Sequence, residues 1–224
     1  MNNFQKTGAF AAFYAGLAYI VGIIGFLFMV EWADDPAQTI TVMAENQISL
    51  HVLYIIVYQI WAVFLVILSL SLYQRLKNES PALMKVFAAL GIIWATVVVA
   101  SGMIYNVGMD AVISIHEQNP EQASTIWKAI ETVCNGLGGG NEILGGFWMI
   151  IISWAALQTN AFPKVLNYLG VIIGIAGILS ALPGLVDATV VFGILQIIWF
   201  IWMGIVLLRS NNKSQALTQD PETP

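Results

Sequence analysis

Charge is what this chain has least of. Only 9% of its 224 residues are charged and 58% are hydrophobic, whereas a soluble globular domain carries about 25% charged residues. So few charges cannot cover a water-facing surface, which excludes an ordinary soluble fold for most of the chain. Cysteine is almost absent too. Cys134 stands alone, so no intramolecular disulfide and no multi-cysteine metal site can form within one chain. The two histidines, His51 and His116, fall on the same side of the apolar stretches, which argues against paired haem ligation across a bundle. There is no basic patch of the kind phosphate needs, so nucleic acid is not an expected partner. Walker, HExxH and GxSxG motifs are missing. No apolar stretch carries a lysine that could hold retinal. No cofactor can be named from these residues.

What the chain does have is six long apolar stretches, with its scarce charges sorted between them. The stretches run over residues 8–30, 48–74, 86–109, from the glycine run near 140 to 157, 165–182 and 188–208. Lys6, Arg75, Lys77, Lys85, Lys164, Arg209 and Lys213 occupy alternate gaps. Glu31, Asp34, Asp35, Glu45, Asp110, Glu117, Glu121, Glu131, Glu142 and Asp187 occupy the others. Among the bases only Lys128 breaks the pattern. Loops rich in Lys and Arg stay in the cytoplasm. The expected fold is therefore all-α: a polytopic bundle of six transmembrane helices with both termini cytoplasmic, in a cell inner (plasma) membrane. One transmembrane domain is expected over residues 1–209, and a disordered cytoplasmic tail over 210–224.

Two shorter segments read as amphipathic helices on the outer surface. In the first outer loop Asp34 or Asp35 can cap a helix that opens at Pro36, with Ile40, Val42 and Met43 resting on the membrane. From Pro120 to Cys134 the residues Ala123, Ile126, Trp127, Ile130 and Val133 form one stripe. Trp32 and Trp127 fit an interfacial aromatic belt. The other tryptophans lie within spans, where aromatics at helical spacing are usually packing. The glycines at 136, 138, 139 and 140 permit unusual backbone angles or close packing. Ala12/Gly16, Ala18/Gly22 and Gly170/Gly174 each set small residues four apart, which lets helices approach.

The candidate chemistry is a set of ionisable groups at one depth. Asp110 lies 25 residues beyond Lys85, Asp187 lies 22 before Arg209, and His51 lies 24 before Arg75. At helical rise each is roughly 33 to 38 Å from the basic side. Glu142 joins them if its helix runs unbroken to Phe162. His51, Tyr54, Tyr58, Asn106, Asp110, Asn141, Glu142 and Asp187 could line one outward-facing pocket, with Tyr54 and Tyr58 below His51 on its face. His51, Asp110 and Glu142 could bind a divalent metal, or the histidine could shuttle protons beside a carboxylate. The plainer reading is that acids at a membrane rim are wet and need no function. Gln59 and Gln196 lie deeper, Gln196 sharing a face with Thr189 and Gly193; each could line a substrate path or form an interhelical hydrogen bond. His116 is expected to be solvated.

Gly145, Gly146 and Trp148 in the stretch from Glu142 to Ile150 lead through Phe162, Pro163 and Lys164 into Leu169 and Gly170. This arrangement, with the opening from Gly8 to Gly25 and the His51-bearing second span, resembles a bacterial family of uncharacterised multi-helix integral membrane proteins, a domain of unknown function. The resemblance covers most of residues 8–209. It implies a topology and no activity.

The expected partner is the lipid bilayer, and three functions stay open. The favoured one is non-enzymatic: binding or passing a small or lipidic ligand through the outward-facing pocket. The others are a membrane-embedded enzyme using His51, Asp110 and Glu142 on a lipid-soluble substrate, and a structural subunit whose polar rim meets a partner. The sidedness is directly testable. Reporter fusions at Asn78 and Asn160 should both report the cytoplasm, and a fusion at Asn119 the opposite side.

Overall fold

The computed structural model describes residues 2–29, 36–139 and 142–219. Every regular element among them is helical. They are α1 (Asn2–Met29), α2 (Pro36–Glu45), α3 (Gln47–Tyr54), a π turn (Ile55–Ile60), α4 (Trp61–Leu76), α5 (Pro81–His116), α6 (Pro120–Cys134), a second π turn (Asn135–Gly139), α7 (Ile143–Thr159), α8 (Lys164–Leu179) and α9 (Ala188–Gln219). Helix is the one open structure that satisfies its own backbone in hydrocarbon. Five runs are long and apolar enough to cross a membrane: Phe4–Met29, Gln47–Leu76, Pro81–His116, Pro120–Thr159 and Ala188–Arg209. The segment expected to be the fifth of six spans is shorter. α8 has 16 residues, or roughly 24 Å of helix, and ends before the turn at Pro183 and Gly184, where Gly184 takes φ 82°. α9 continues past Arg209 to Gln219, where the sequence suggests an unstructured tail. Extending an existing helix is easy, and the next proline is Pro221.

The long helices close into a ring in chain order. α1 packs on α4, α4 on α5, α5 on α7, α7 on α8, α8 on α9, and α9 back on α1. Acidic and basic ends separate as the charges suggest. At the basic end the Gln5 side chain donates to the Ser71 carbonyl at 3.0 Å, and the Arg75 guanidinium lies 5.6 Å from the centre of the Phe162 ring. The hairpin turns at Asn78 and Asn160 therefore share an end.

Aromatic rings fill the ring's axis. Trp61, Trp94, Trp148 and Trp199 are buried. Their rings follow one another at 5.2, 5.9 and 5.7 Å, each such pair worth about 0.5–1.5 kcal/mol beyond simple burial. Phe87, Phe192 and Phe200 complete the plug.

A satellite core sits at the acidic end. α5 has 36 residues, roughly 54 Å, and so outruns a hydrocarbon layer of about 30 Å. Its projecting end carries α2 and α6. Asn119 caps α6 by accepting from the Gln122 N–H at 3.1 Å. Ile40, Met43, Tyr105, Met109, Ala123, Trp127 and Cys134 bury one another there. This corrects two expectations. Ile40 and Met43 face protein rather than membrane, and Trp127 is 2% exposed rather than in an interfacial belt. Val133 lies outside the buried stripe at 52% exposure, and Cys134 takes its place. Asp34, Asp35, Trp32, Gly140 and Asn141 lie outside the described residues.

The tightest helix contact is between α7 and α8. A Cβ on Gly146 would lie 2.7 Å from the Gly174 carbonyl oxygen and 2.8 Å from the Ile178 nitrogen. Both are backbone atoms, which cannot swing aside. Gly146→Ala should therefore cost about 1–3 kcal/mol, seen as a lower thermal midpoint of the detergent-solubilised protein. Gly136→Ala, with nothing within 4 Å of the new methyl group, should leave that midpoint unchanged or slightly higher.

Candidate functional site

Glu142 is held by the small residues of α8. Its N–H donates to the Ser180 hydroxyl at 3.0 Å, and that hydroxyl donates to the Gly177 carbonyl at 2.7 Å. The Glu142 carbonyl accepts from the Gly146 N–H at 2.7 Å, starting α7. A Cβ on Gly177 would lie 2.8 Å from that same carbonyl oxygen, so only glycine lets α8 come so near. The backbone of Glu142 is thus fixed against α8. Its carboxyl side chain lines a cavity on the ring's axis.

The cavity has a volume of about 290 Å³ and is partly open. Trp61 and Trp94 line it, and Tyr19, Phe26 and Tyr58 add further aromatic surface. Small residues make the space: Ala18 and Gly22 on α1, Gly138 beside α5, and Gly193 on α9. Gly138 takes φ 140°, a conformation that other residues rarely adopt. A Cβ on Gly193 would meet only Tyr19, at 3.7 Å. Two polar atoms of the lining side chains have no partner, the Thr189 hydroxyl and the Trp61 indole nitrogen. Among the described residues no Lys, Arg or His pairs with Glu142, which is 9% exposed. Ile23 is the exposed member of the lining, at 43%. Val190 and Ile194 of α9 are exposed apolar neighbours of the lining residues Thr189 and Gly193. The exposed residues next to the lining on α1 and α9 are thus apolar.

A second polar group lies at the acidic rim. His51 Nε2 and Asp110 Oδ1 are 2.8 Å apart, and the Gln47 side chain donates to the same oxygen at 2.7 Å. The pair is half in solvent, with side chains 25% and 54% exposed. α3 and the C-terminal part of α5 bring these residues together, as their shared depth suggests.

The single pocket expected from sequence is not formed. Of its candidates, Glu142 and Tyr58 line the cavity, while His51 and Asp110 pair outside it. Tyr54 is buried in the satellite core, stacked on Tyr105 at 4.8 Å. Asn106 is half-buried beside that core with an unpartnered Oδ1. Asp187 is exposed in the loop before α9. Gln196 is fully buried, and its amide contacts the Met149 sulfur at 3.5 Å; it lines nothing open. His116 is half-buried, with Nε2 3.4 Å from the Thr41 hydroxyl, rather than solvated. Among the described residues no three His, Cys, Asp or Glu side chains are grouped to hold a metal ion. His51, Asp110 and Glu142 therefore share no metal site. Tyr58 keeps ring contact with Tyr54 at 5.6 Å and with Tyr105 at 5.8 Å, and so joins the satellite core to the cavity. Tyr19, Phe26, Trp61 and Trp94 escape sequence reasoning because they read as ordinary span residues. Besides Glu142 and Tyr58, the signals of this cavity in the sequence were the Thr189/Gly193 face and the Ala18/Gly22 pair.

Residues 14–209 match the family described as a domain of unknown function, DUF4386. The chain belongs to that family. The match spans the ring from Tyr14 to Arg209 and takes in both polar groups. No curated protein and no solved structure matches the chain. DUF4386 thus brings a fold neighbourhood without an activity, and the site has to be read from its own chemistry. The rim pair is exposed enough to be weakly coupled: Asp110→Asn should change unfolding stability by no more than about 1 kcal/mol, measured by thermal melting of the solubilised protein.

Proposed function

We propose that the protein crosses a bacterial inner membrane six times, with α8 as its short fifth span and both termini in the cytoplasm. In this reading it binds or passes a small or lipidic ligand through the cavity at its outward end. The charge sorting supports that orientation, since Lys6, Arg75, Lys164 and Arg209 gather where cytoplasmic loops would be.

The observation that carries the ligand reading is Glu142 in its cavity. α7 has 17 residues, so Glu142 stands roughly 26 Å from the basic end. That is less than the hydrocarbon thickness of about 30 Å. Asp110, Asp187 and His51 all lie further from their basic anchors. Glu142 is then the one acid of the set within lipid depth. An ionisable group there is costly and usually functional, and a concave, mainly apolar space with a few polar atoms is the usual form of a small-molecule site.

The enzyme alternative needs His51 and two carboxylates within reach of one another. His51 meets Asp110 alone, which leaves it without a second acid and weakens that reading. The reading as a structural subunit gives no role to a cavity on the axis.

Filling the cavity should abolish binding without unfolding the ring. Gly193→Leu adds a side chain where there is room. Native mass spectrometry of protein released from nanodiscs should show a bound species on the unaltered chain and its loss in Gly193→Leu. An identical set of bound species on both would sink the reading.

A further inference from the structure

We infer that the cavity takes a lipophilic ammonium ion, with its charged nitrogen at Glu142 and its apolar body among the aromatic rings, admitted from the bilayer between α1 and α9. This deepens the reading above and rests on it. The argument runs by elimination among ligand chemistries. An anion would face the Glu142 carboxylate in a space of low dielectric, where like charge is strongly unfavourable. A divalent metal ion would need further acids or imidazoles, and no group of three is present among the described residues. A purely apolar ligand would offer the buried carboxyl group neither a counter-charge nor a hydrogen bond, and would leave it to take up a proton and stay unpartnered.

An organic cation meets every feature. It supplies the charge that no Lys, Arg or His among the described residues provides. Trp61, Trp94, Tyr19 and Tyr58 line the same space, and aromatic walls attract quaternary and primary ammonium groups, Trp most strongly. Substituents on the nitrogen fit the small-residue side at Gly22 and Gly193. The route of access is set by exposure. Ile23 is the exposed lining residue, with exposed Leu27 one turn along α1, and exposed Val190 and Ile194 adjoin the lining residues Thr189 and Gly193 on α9. A ligand approaching along that face would be dissolved in lipid, which favours an amphiphile over a small hydrated ion.

The test compares two molecules of one shape. Phenyltrimethylammonium carries a positive charge, and tert-butylbenzene replaces its nitrogen with carbon. Uptake of each is measured by equilibrium dialysis against the full chain in lipid nanodiscs, with empty nanodiscs as the baseline. The unaltered protein should bind the cation at least about tenfold more tightly than the isostere, the scale of one desolvated cation–aromatic contact with a carboxylate beside it. Glu142→Gln should remove that preference while the isostere still binds. Glu142→Asp, which keeps the charge, should retain it and guards against a folding defect in the glutamine variant. Equal binding of the two probes, or a preference that persists in Glu142→Gln, overturns the ammonium assignment and leaves the cavity reading standing. Uptake of neither probe above empty nanodiscs overturns both.

Discussion

Backbone laid against backbone, between α7 and α8, is the contact on which the site depends. Lipid tails are as apolar as leucine, so no hydrophobic effect gathers helices within a bilayer. Close packing has to do it, and close packing needs residues without bulk. Gly146, Gly174 and Gly177 let the two helices approach until main-chain atoms touch where side chains would otherwise stand. That same approach brings the Ser180 hydroxyl to the Glu142 nitrogen. The acid is thereby set at the start of α7, facing the axis, by groups that carry no charge. The glycines organise the electrostatics of the site without taking part in them.

Closing the ring leaves an axis to be filled, and the chain fills it unevenly. Four tryptophans and three phenylalanines occupy one part in edge-to-face and tilted contacts. Toward the acidic end the facing residues shrink to alanine and glycine, and space remains. The cavity is therefore defined by subtraction, on walls that are rigid because their aromatic members pack into the plug as well. Trp61 and Trp94 serve in both, since they contact each other at 5.2 Å and also bound the open space.

Much of this architecture could be read from residues 8–209 alone. Charge sorting and apolar length depend on local composition, so the basic-end turns at Asn78 and Asn160 and the small-residue pair Gly170/Gly174 were legible. The convergence of His51 with Asp110 followed from counting helical rise. Rotation about each helix axis was not legible in the same way. Ile40 and Met43 turn inward because α5 projects far enough to offer them a partner, which a hydropathy profile does not reveal. Val133 leaves the stripe that Cys134 enters because eleven residues make about three α-helical turns, which brings Cys134 onto the face of Ala123. The short α8 hides in sequence because the apolar residues of the following turn, Ala181 and Leu182, extend its profile without extending its helix. The cavity itself leaves almost no trace, being made of what is missing at Gly22 and Gly193.

The π turn at Ile55–Ile60 makes the length of this segment matter as much as its composition. A wider turn holds an additional residue, and one residue corresponds to about 100° of rotation. A chain lacking one amino acid between Tyr54 and Trp61 would keep its hydropathy, its charge sorting and its ability to cross lipid. Its distal portion would nevertheless face a different direction, parting His51 from Asp110 and Tyr54 from Tyr105. Selection on this stretch should therefore tolerate exchanges of one apolar residue for another far more readily than a single deletion.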